Sequence, residues 1–310
     1  MRSERFAIQL MVAQAALFAA ETAAIHQIGG RLSVMQVGFL RSSAGVVLAL
    51  LLARQIGFGL IHTRQLALQL MRGAVSLLYL WVMIYSFGSL PFADATAISF
   101  SQVAYIALFS ALLLREHVTG RRWFAAALAI AGAVLIAKPS FGSWNSLYLI
   151  ALLGAALNGL AFVLNRYLQQ EDSQATTMFY TNIVAVVGNL PALFAGSPLP
   201  SEAWVWLPGV LVLGPLGMYA GIVAVRHANA SALGPYTLLR LVIATAAGII
   251  IFRELPDSFS LLGSVVILIG CMLAGVANVP AACRRMWRRR MTAAIPSVLT
   301  AGRDPGTATH

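Results

Sequence analysis

Charged side chains inside the apolar stretches of this chain are few, and they are the first candidates for chemistry. Of its 10 acidic residues, only Glu21 lies well inside such a stretch, and Arg41 and Arg240 lie inside two others. An ionisable group is costly in apolar surroundings and usually marks a binding or ion-coupling site. A guanidinium grips a carboxylate or phosphate with two parallel hydrogen bonds. We therefore predict that Arg240 binds an anionic group of a substrate, and that Glu21 and Arg41 serve coupling or gating.

Each of these charged residues also has a purely structural interpretation. Glu21 and Arg41 would form an equally good buried ion pair that fixes two helices. Arg240 would be satisfied by an amide or a carbonyl of a neighbouring helix. Arg72 lies closer to the end of its stretch, where its long side chain reaches the lipid headgroups.

Neutral polar and aromatic side chains in the apolar stretches complete the candidate site. A small-molecule site is mostly apolar and aromatic, with a few polar groups that orient the ligand. The predicted substrate-binding residues beside Arg240 are Tyr236, Gln102, Tyr105, Asn158, Tyr79 and Trp81. Amides also join helices, and single aromatic residues also face lipid. Each of these residues is therefore a weak signal by itself, and the same pattern also includes Asn182, Asn189, Phe162 and Tyr219.

The composition indicates that helices in a lipid bilayer position these residues. The chain has 310 residues, of which 59% are hydrophobic and 10% are charged, against about 45–50% and 25% in soluble domains. Arginine clusters, prolines and glycines divide it into ten apolar runs near the roughly 20 residues that cross a bilayer. The predicted spans are 6–25, 34–53, 68–88, 92–114, 123–138, 146–165, 176–195, 204–225, 232–252 and 259–279.

The distribution of arginine orients these spans. Ten spans place both termini on one side, and most basic residues outside the spans then fall on that side, which the positive-inside rule makes cytoplasmic. We predict a multi-pass protein of the inner (plasma) membrane. The tail sequence R-R-M-W-R-R-R fits anionic lipid better than nucleic acid, because it lies next to the last span. The oligomeric state has no signature in the sequence.

Several function classes lack their motifs. Lys138 is the only lysine, so the chain has no phosphate-binding loop of the Walker A type. Its two cysteines and five histidines follow no zinc or haem spacing. We therefore predict no metal, no other cofactor and no ATP-driven pumping by this chain alone.

Two segments of the chain resemble each other. A-D-A-T-A-I-S-F from Ala93 corresponds to A-N-A-S-A-L-G-P from Ala228, and each copy reaches an Arg-Glu pair, at Arg115 and Arg253. Each half then holds five spans, and because five is odd the second copy enters from the opposite face. The predicted units are a first repeat over 1–140, a second over 141–283 and a basic, disordered cytoplasmic tail over 284–310.

At these residues the sequence resembles the EamA-type members of the drug/metabolite transporter superfamily. The segment from Leu90 and F-R-E-L-P-D-S-F-S-L-L-G, which ends at Gly263, are similar to the branch that contains S-adenosylmethionine and riboflavin transporters. The resemblance implies an all-α fold of ten helices in two inverted repeats. It also implies a secondary transporter, not an enzyme. Family members often carry glycine where this chain has Arg115 and Arg253.

The predicted function is transport of a small organic metabolite by alternating access. Proton coupling and exchange remain alternatives, as do export of amino acids or a metallophore and import of a cofactor such as riboflavin or S-adenosylmethionine. A polytopic membrane enzyme or a non-transporting scaffold are alternatives from other classes.

Small residues predict how two of the spans pack. Ala125, Ala129 and Gly132 in the fifth span, and Gly263 and Gly270 in the tenth, recur at spacings that let helices approach closely. We predict that these two helices are structural.

Overall fold

All regular secondary structure in the described part of the chain is helical. The computed structural model describes residues 2–29, 31–56, 62–115, 117–137, 146–195, 201, 203–227, 236 and 238–275. Its helices are α1 (Arg2–Ile28), α2 (Val34–Ile56), α3 (Leu66–Ser89), α4 (Phe92–Phe100), α5 (Gln102–Leu113), α6 (Gly120–Ala137), α7 (Ser146–Leu168), α8 (Gln174–Asn189), α9 (Ala192–Ala195), α10 (Ala203–Pro208), α11 (Gly214–His227), α12 (Leu239–Ile250) and α13 (Ser258–Gly275). A π-helical segment, Gly209–Leu213, joins α10 to α11.

Seven segments of these residues are long and apolar enough to cross a membrane. They are α1, α2, α3, the α4–α5 segment, α6, α7 and the segment Ala203–Gly221. The other three predicted spans contain α8, α12 and α13, so the count of ten stays a prediction. The predicted basic tail, 284–310, and the Gly234-Pro235 pair lie outside the described residues.

The surface and the interior have the polarity expected of a membrane protein. Large apolar side chains are exposed along the helices, including Phe194 at 90% and Ile250 at 76%. Polar side chains lie inside instead, and Glu21, Gln69 and Asn189 are each at most 2% exposed. An exposed apolar surface of this extent favours contact with lipid.

Two predicted spans are interrupted. The span predicted over 92–114 is two helices, because the N–H of Ser101 donates to the Ile98 carbonyl only three residues back, at 2.9 Å. This bond tightens the turn between α4 and α5. The span predicted over 176–195 ends as an α-helix at Asn189. Pro191 follows, and it lacks the N–H that would continue α8.

Helix pairing has an approximate two-fold pattern. Helix α1, the first of the first repeat, packs on α11, and α7, the first of the second repeat, packs on α3. The pairs α2–α8, α4–α12 and α6–α13 each join helices of corresponding position. This pattern is the one expected when two similar halves pack face to face.

Helices α6 and α13 approach each other closely along their small residues. A side chain added at Gly132 would place its Cβ 2.6 Å from the Gly263 carbonyl oxygen. One added at Gly270 would lie 2.8 Å from the Ala125 carbonyl oxygen. The small residues of these two helices therefore lie where the helices meet, and their purely structural role stays a prediction.

Candidate functional site

Glu21 and Arg41 form an ion pair in the interior. Helix α1 carries Glu21 and helix α2 carries Arg41, and Arg41 Nε donates to Glu21 Oε1 at 2.6 Å. The Glu21 side chain is 3% exposed, whereas that of Arg41 is 29% exposed. The carboxylate is therefore sealed from solvent while its partner remains partly accessible.

Glycine at position 214 makes room for this pair. Gly214 begins α11, and a Cβ at that position would collide with the Glu21 carboxylate, with Oε2 at 2.8 Å. The adjoining π-helical segment, Gly209–Leu213, packs directly on α1. The backbone of the second half thus approaches the Glu21 carboxylate as closely as glycine allows.

Arg240 and Tyr79 lie beside the pair. Helix α12 packs on α1 and places the Arg240 guanidinium 5.6 Å from the centre of the Phe18 ring. Tyr79, on α3, interacts electrostatically with Arg240, Arg41 and Glu21. We call Glu21, Arg41, Tyr79 and Arg240 the central cluster.

One donor of the central cluster is free. Arg240 Nε is buried and has no hydrogen-bond partner among the described residues. A buried donor without a partner is costly, which makes it a natural contact for an acceptor on a ligand. The central cluster thus holds two guanidinium groups and one carboxylate, an excess of positive charge.

A second polar group lies between α5 and α7. Asn158 Nδ2 donates to Gln102 Oε1. Tyr105 packs closely on Gly159, and a Cβ added at Gly159 would lie 2.8 Å from the Tyr105 Cβ. The central cluster belongs instead to α1, α2, α3 and α12. The structure therefore divides the predicted site into two groups.

Trp81 has a partner outside both groups. Its indole N–H donates to Asn189 Oδ1 on α8 at 2.8 Å. The Asn189 amide in turn donates to the Ala185 carbonyl at 2.7 Å. Trp81 therefore joins α3 to α8, and its one donor is occupied in this structure.

Tyr236, Phe162 and Arg72 make contacts other than those of the two polar groups. Tyr236 is partly buried against Ala7, Met11 and Ala224. Phe162 is 52% exposed, on the outer side of α7. Arg72 donates to Thr181 on α8, so its guanidinium joins two helices.

A polar cluster that the sequence did not predict lies at the end of the bundle where α1 and α3 end and α4 begins. His26 contacts Glu254 through Nε2 and Oε1 at 3.2 Å, and Glu254 Oε2 accepts the backbone N–H of Phe92 at 2.7 Å. The repeated Arg-Glu pair was the available signal. It marked Glu254 as the end of a helix, but it did not indicate which element the carboxylate would contact.

Metal ligands are not grouped in the described part of the chain. No three His, Cys, Asp or Glu side chains there are placed so that they could hold a metal ion together.

Known proteins resemble this chain over most of its length. It is 27% identical over 269 residues to the pseudopaline exporter CntI of Pseudomonas aeruginosa, which covers 86% of this chain and 94% of that protein. It is 26% identical over 244 residues to an S-adenosylmethionine uptake transporter of Rickettsia bellii, covering 78% and 83%. A riboflavin transporter of Brucella anthropi is 28% identical over 257 residues, covering 80% and 90%.

A solved structure and a family model also match this chain. A chain from a crystal structure matches with a TM-score of 0.58 at 16% identity, covering 92% of this chain and 98% of that chain. The model of the EamA-like transporter family matches twice, at residues 5–138 and 145–276. The match describes a transporter with two similar halves, not an enzyme. The chain belongs to the EamA-like transporter family.

Proposed function

We propose that this protein is a secondary transporter that moves a small organic metabolite carrying an anionic group across the inner (plasma) membrane. Ten spans, arranged as two inverted five-helix repeats over 1–140 and 141–283, alternate access to a central site. Both termini are cytoplasmic, and the basic tail over 284–310 binds anionic lipid.

Arg240 carries this proposal. Its buried Nε has no protein acceptor among the described residues, and it lies on a helix of the second repeat that packs on α1 of the first. A carboxylate or phosphate on the substrate would supply the missing acceptor and would offset the excess positive charge of the central cluster. Substrate would then bind where the two repeats meet, as alternating access requires.

Glu21 and Arg41 act as the gate of this site. The substrate anion and the Glu21 carboxylate compete for the same pair of guanidinium groups, because Arg240 interacts electrostatically with both Glu21 and Arg41. Binding of substrate at Arg240 would weaken the hold of Arg41 on Glu21 and free α2 to move. Tyr79 orients the substrate within the central cluster.

The second polar group and the flanking aromatic residues contact the rest of the substrate. Gln102, Tyr105 and Asn158 offer amide and hydroxyl groups on α5 and α7, and Trp81 and Tyr236 offer aromatic surface. In one of the two alternating states, each hydrogen bond between side-chain amides of two helices would be replaced by a hydrogen bond to the substrate.

Ligand-induced stabilisation of the purified protein tests this proposal. A panel of amino acids, nucleoside-type cofactors, flavins and metallophores is screened for an increase in melting temperature, since a ligand of the folded state stabilises by mass action. We expect stabilising compounds to carry an anionic group and to lose their effect in Arg240→Gln. The matched control is Arg121→Gln, an exposed position on α6. Hits confined to pure cations would contradict the proposal.

A further inference from the structure

His26 connects both halves of the molecule at one end of the bundle. It lies near the end of α1, and its Nδ1 is 2.5 Å from the Phe87 carbonyl oxygen at the end of α3. Its Nε2 is 3.2 Å from Glu254 Oε1, in the connection between α12 and α13. The ring packs between Phe92 and Phe252, with centroid distances of 5.6 and 4.7 Å.

Glu254 also caps a helix of the other repeat. Pro91 precedes α4 and makes no side-chain hydrogen bond to its first turn, so the first backbone donors of α4 need another acceptor. Glu254 Oε2 accepts the Phe92 N–H at 2.7 Å. One carboxylate thus contacts the first turn of α4 and the imidazole of α1 together.

These contacts fix the number of protons that the pair holds. Both ring nitrogens of His26 face oxygen atoms, one a carbonyl that only accepts and the other a carboxylate oxygen. A neutral imidazole has one N–H donor, so its second nitrogen would meet an oxygen with no proton between them. The arrangement therefore requires one proton beyond a neutral histidine and an ionised glutamate, whether it is placed on the imidazole or on the carboxyl.

We propose that His26 and Glu254 together bind a proton that holds this end of the molecule closed, and that release of the proton separates the α12–α13 connection from α1 and α4. The inference rests on the proposed alternating-access function and adds a proton site that controls one end of the molecule. The side chains of His26 and Glu254 are 15% and 30% exposed, so water can exchange the proton. Histidine ordinarily changes charge between pH 5 and 8.

Other titratable groups on the packed elements make different contacts. In the connection that holds Glu254, Asp257 accepts the Ser260 N–H at 3.1 Å. On α1, Glu21 is bound to Arg41, and Tyr79 on α3 belongs to the central cluster. On α4, Asp94 accepts the Tyr148 hydroxyl at 3.0 Å. Arg253 adjoins Glu254 and Arg31 follows α1, and these arginines keep their charge throughout this pH range.

Thiol labelling tests the proposal in the full-length protein. Ser86 is 5% exposed and precedes Phe87, so Ser86→Cys reports opening at this end, in a background with Cys271→Ser and Cys283→Ser. Leu255→Cys, at a position 84% exposed, serves as the always accessible control. The rate of modification by a membrane-impermeant maleimide is measured at pH 6 and pH 8.

Glu254→Gln supplies the matched comparison. Its amide can donate to a neutral His26 and still accept from Phe92, so this variant replaces the proton permanently. Both proteins carry the Ser86→Cys reporter, one with Glu254 and one with Glu254→Gln. At each pH, the labelling rate with Glu254 is divided by the labelling rate with Glu254→Gln. We expect this ratio to rise with pH. One linked proton allows a rise of at most about tenfold per pH unit. His26→Gln, which cannot titrate, should remove the rise.

An unchanged ratio at pH 6 and pH 8 would overturn the proposal, as would a rise that persists in His26→Gln. If Glu254→Gln does not fold, the parent and His26→Gln still decide the question. Labelling needs no substrate, so a lack of transport would remove the proposed function while this experiment still reports on the proton.

Discussion

Glu21 combines burial with a partner of opposite charge, which makes its role testable by a neutral substitution. Glu21→Gln keeps the shape of the side chain, but it can neither neutralise Arg41 nor take up a proton. We expect the variant to lose uphill accumulation and to retain substrate exchange in proteoliposomes. Exchange does not require a net change in the charge of residue 21. Unchanged accumulation would reduce Glu21 to a structural partner of Arg41.

Gly214 offers a second test at the scale of one residue. Its missing side chain is what lets the Glu21 carboxylate lie against α11, and an added methyl group must displace that carboxylate. We expect Gly214→Ala to lower the free energy of unfolding by about 1–3 kcal/mol, the range for forced overpacking, and to reduce transport. The measurement is the denaturation midpoint in detergent beside the transport rate.

Gly120 provides the control for that substitution. A Cβ at Gly120 meets nothing within 4 Å, so Gly120→Ala should leave both stability and transport near the parent values. If Gly120→Ala and Gly214→Ala have the same stability and the same transport rate, neither property depends on the close approach at Gly214.

The ends of α5 and α12 share an unusual backbone conformation. Arg115 and Arg253 have φ angles of 48° and 56°, in the left-handed region that costs a residue with a side chain about 1–2 kcal/mol. At the second of these positions the turn lets the Glu254 N–H donate to the Gly248 carbonyl at 3.0 Å. The glycine common in the family at both places therefore has a conformational reason.

Replacing Arg253 with glycine should relieve this cost. We expect Arg253→Gly to raise the free energy of unfolding by about 1 kcal/mol, or the melting temperature by about 1–3 °C in a protein of this size. Arg121→Gly, within the first turn of α6, should destabilise instead, because glycine is unfavourable in a helix. The same sign of change in both variants would contradict this interpretation.

Element boundaries were predictable where a residue enforces them. Hydropathy located the helices, and the small residues of α6 and α13 indicated that each of them can approach a neighbouring helix closely, because both signals are local in sequence. The break at Ser101 was not predicted, since neither proline nor glycine marks it. Pro191, by contrast, was a visible signal, and the span predicted across it was too long.

At the scale of the whole molecule, the missing information was which helices meet. The charges of Glu21, Arg41 and Arg240 were recognisable because charge is rare in apolar segments. Their separation from Gln102 and Asn158 depends on helix pairing, as do the contacts of Trp81 with Asn189 and of His26 with Glu254. Such pairings join residues far apart in the chain, and a single sequence carries no record of them.

The central cluster lies where the two repeats contact each other. Arg240 comes from the second repeat, while Glu21, Arg41 and Tyr79 come from the first. A movement of one repeat against the other must therefore change the distances among these groups. In the proposed transport cycle, movement of the repeats therefore changes the electrostatic interactions within the central cluster.

Transport by the reconstituted protein tests the central claim most directly. The stabilising metabolite identified by the ligand screen is loaded on one side of proteoliposomes, and movement of labelled compound is followed in the parent and in Arg240→Gln. We expect counterflow by the parent and a loss of about tenfold or more in the variant, the effect of one missing charged hydrogen bond. No movement of any candidate metabolite, or equal movement by both proteins, would contradict it.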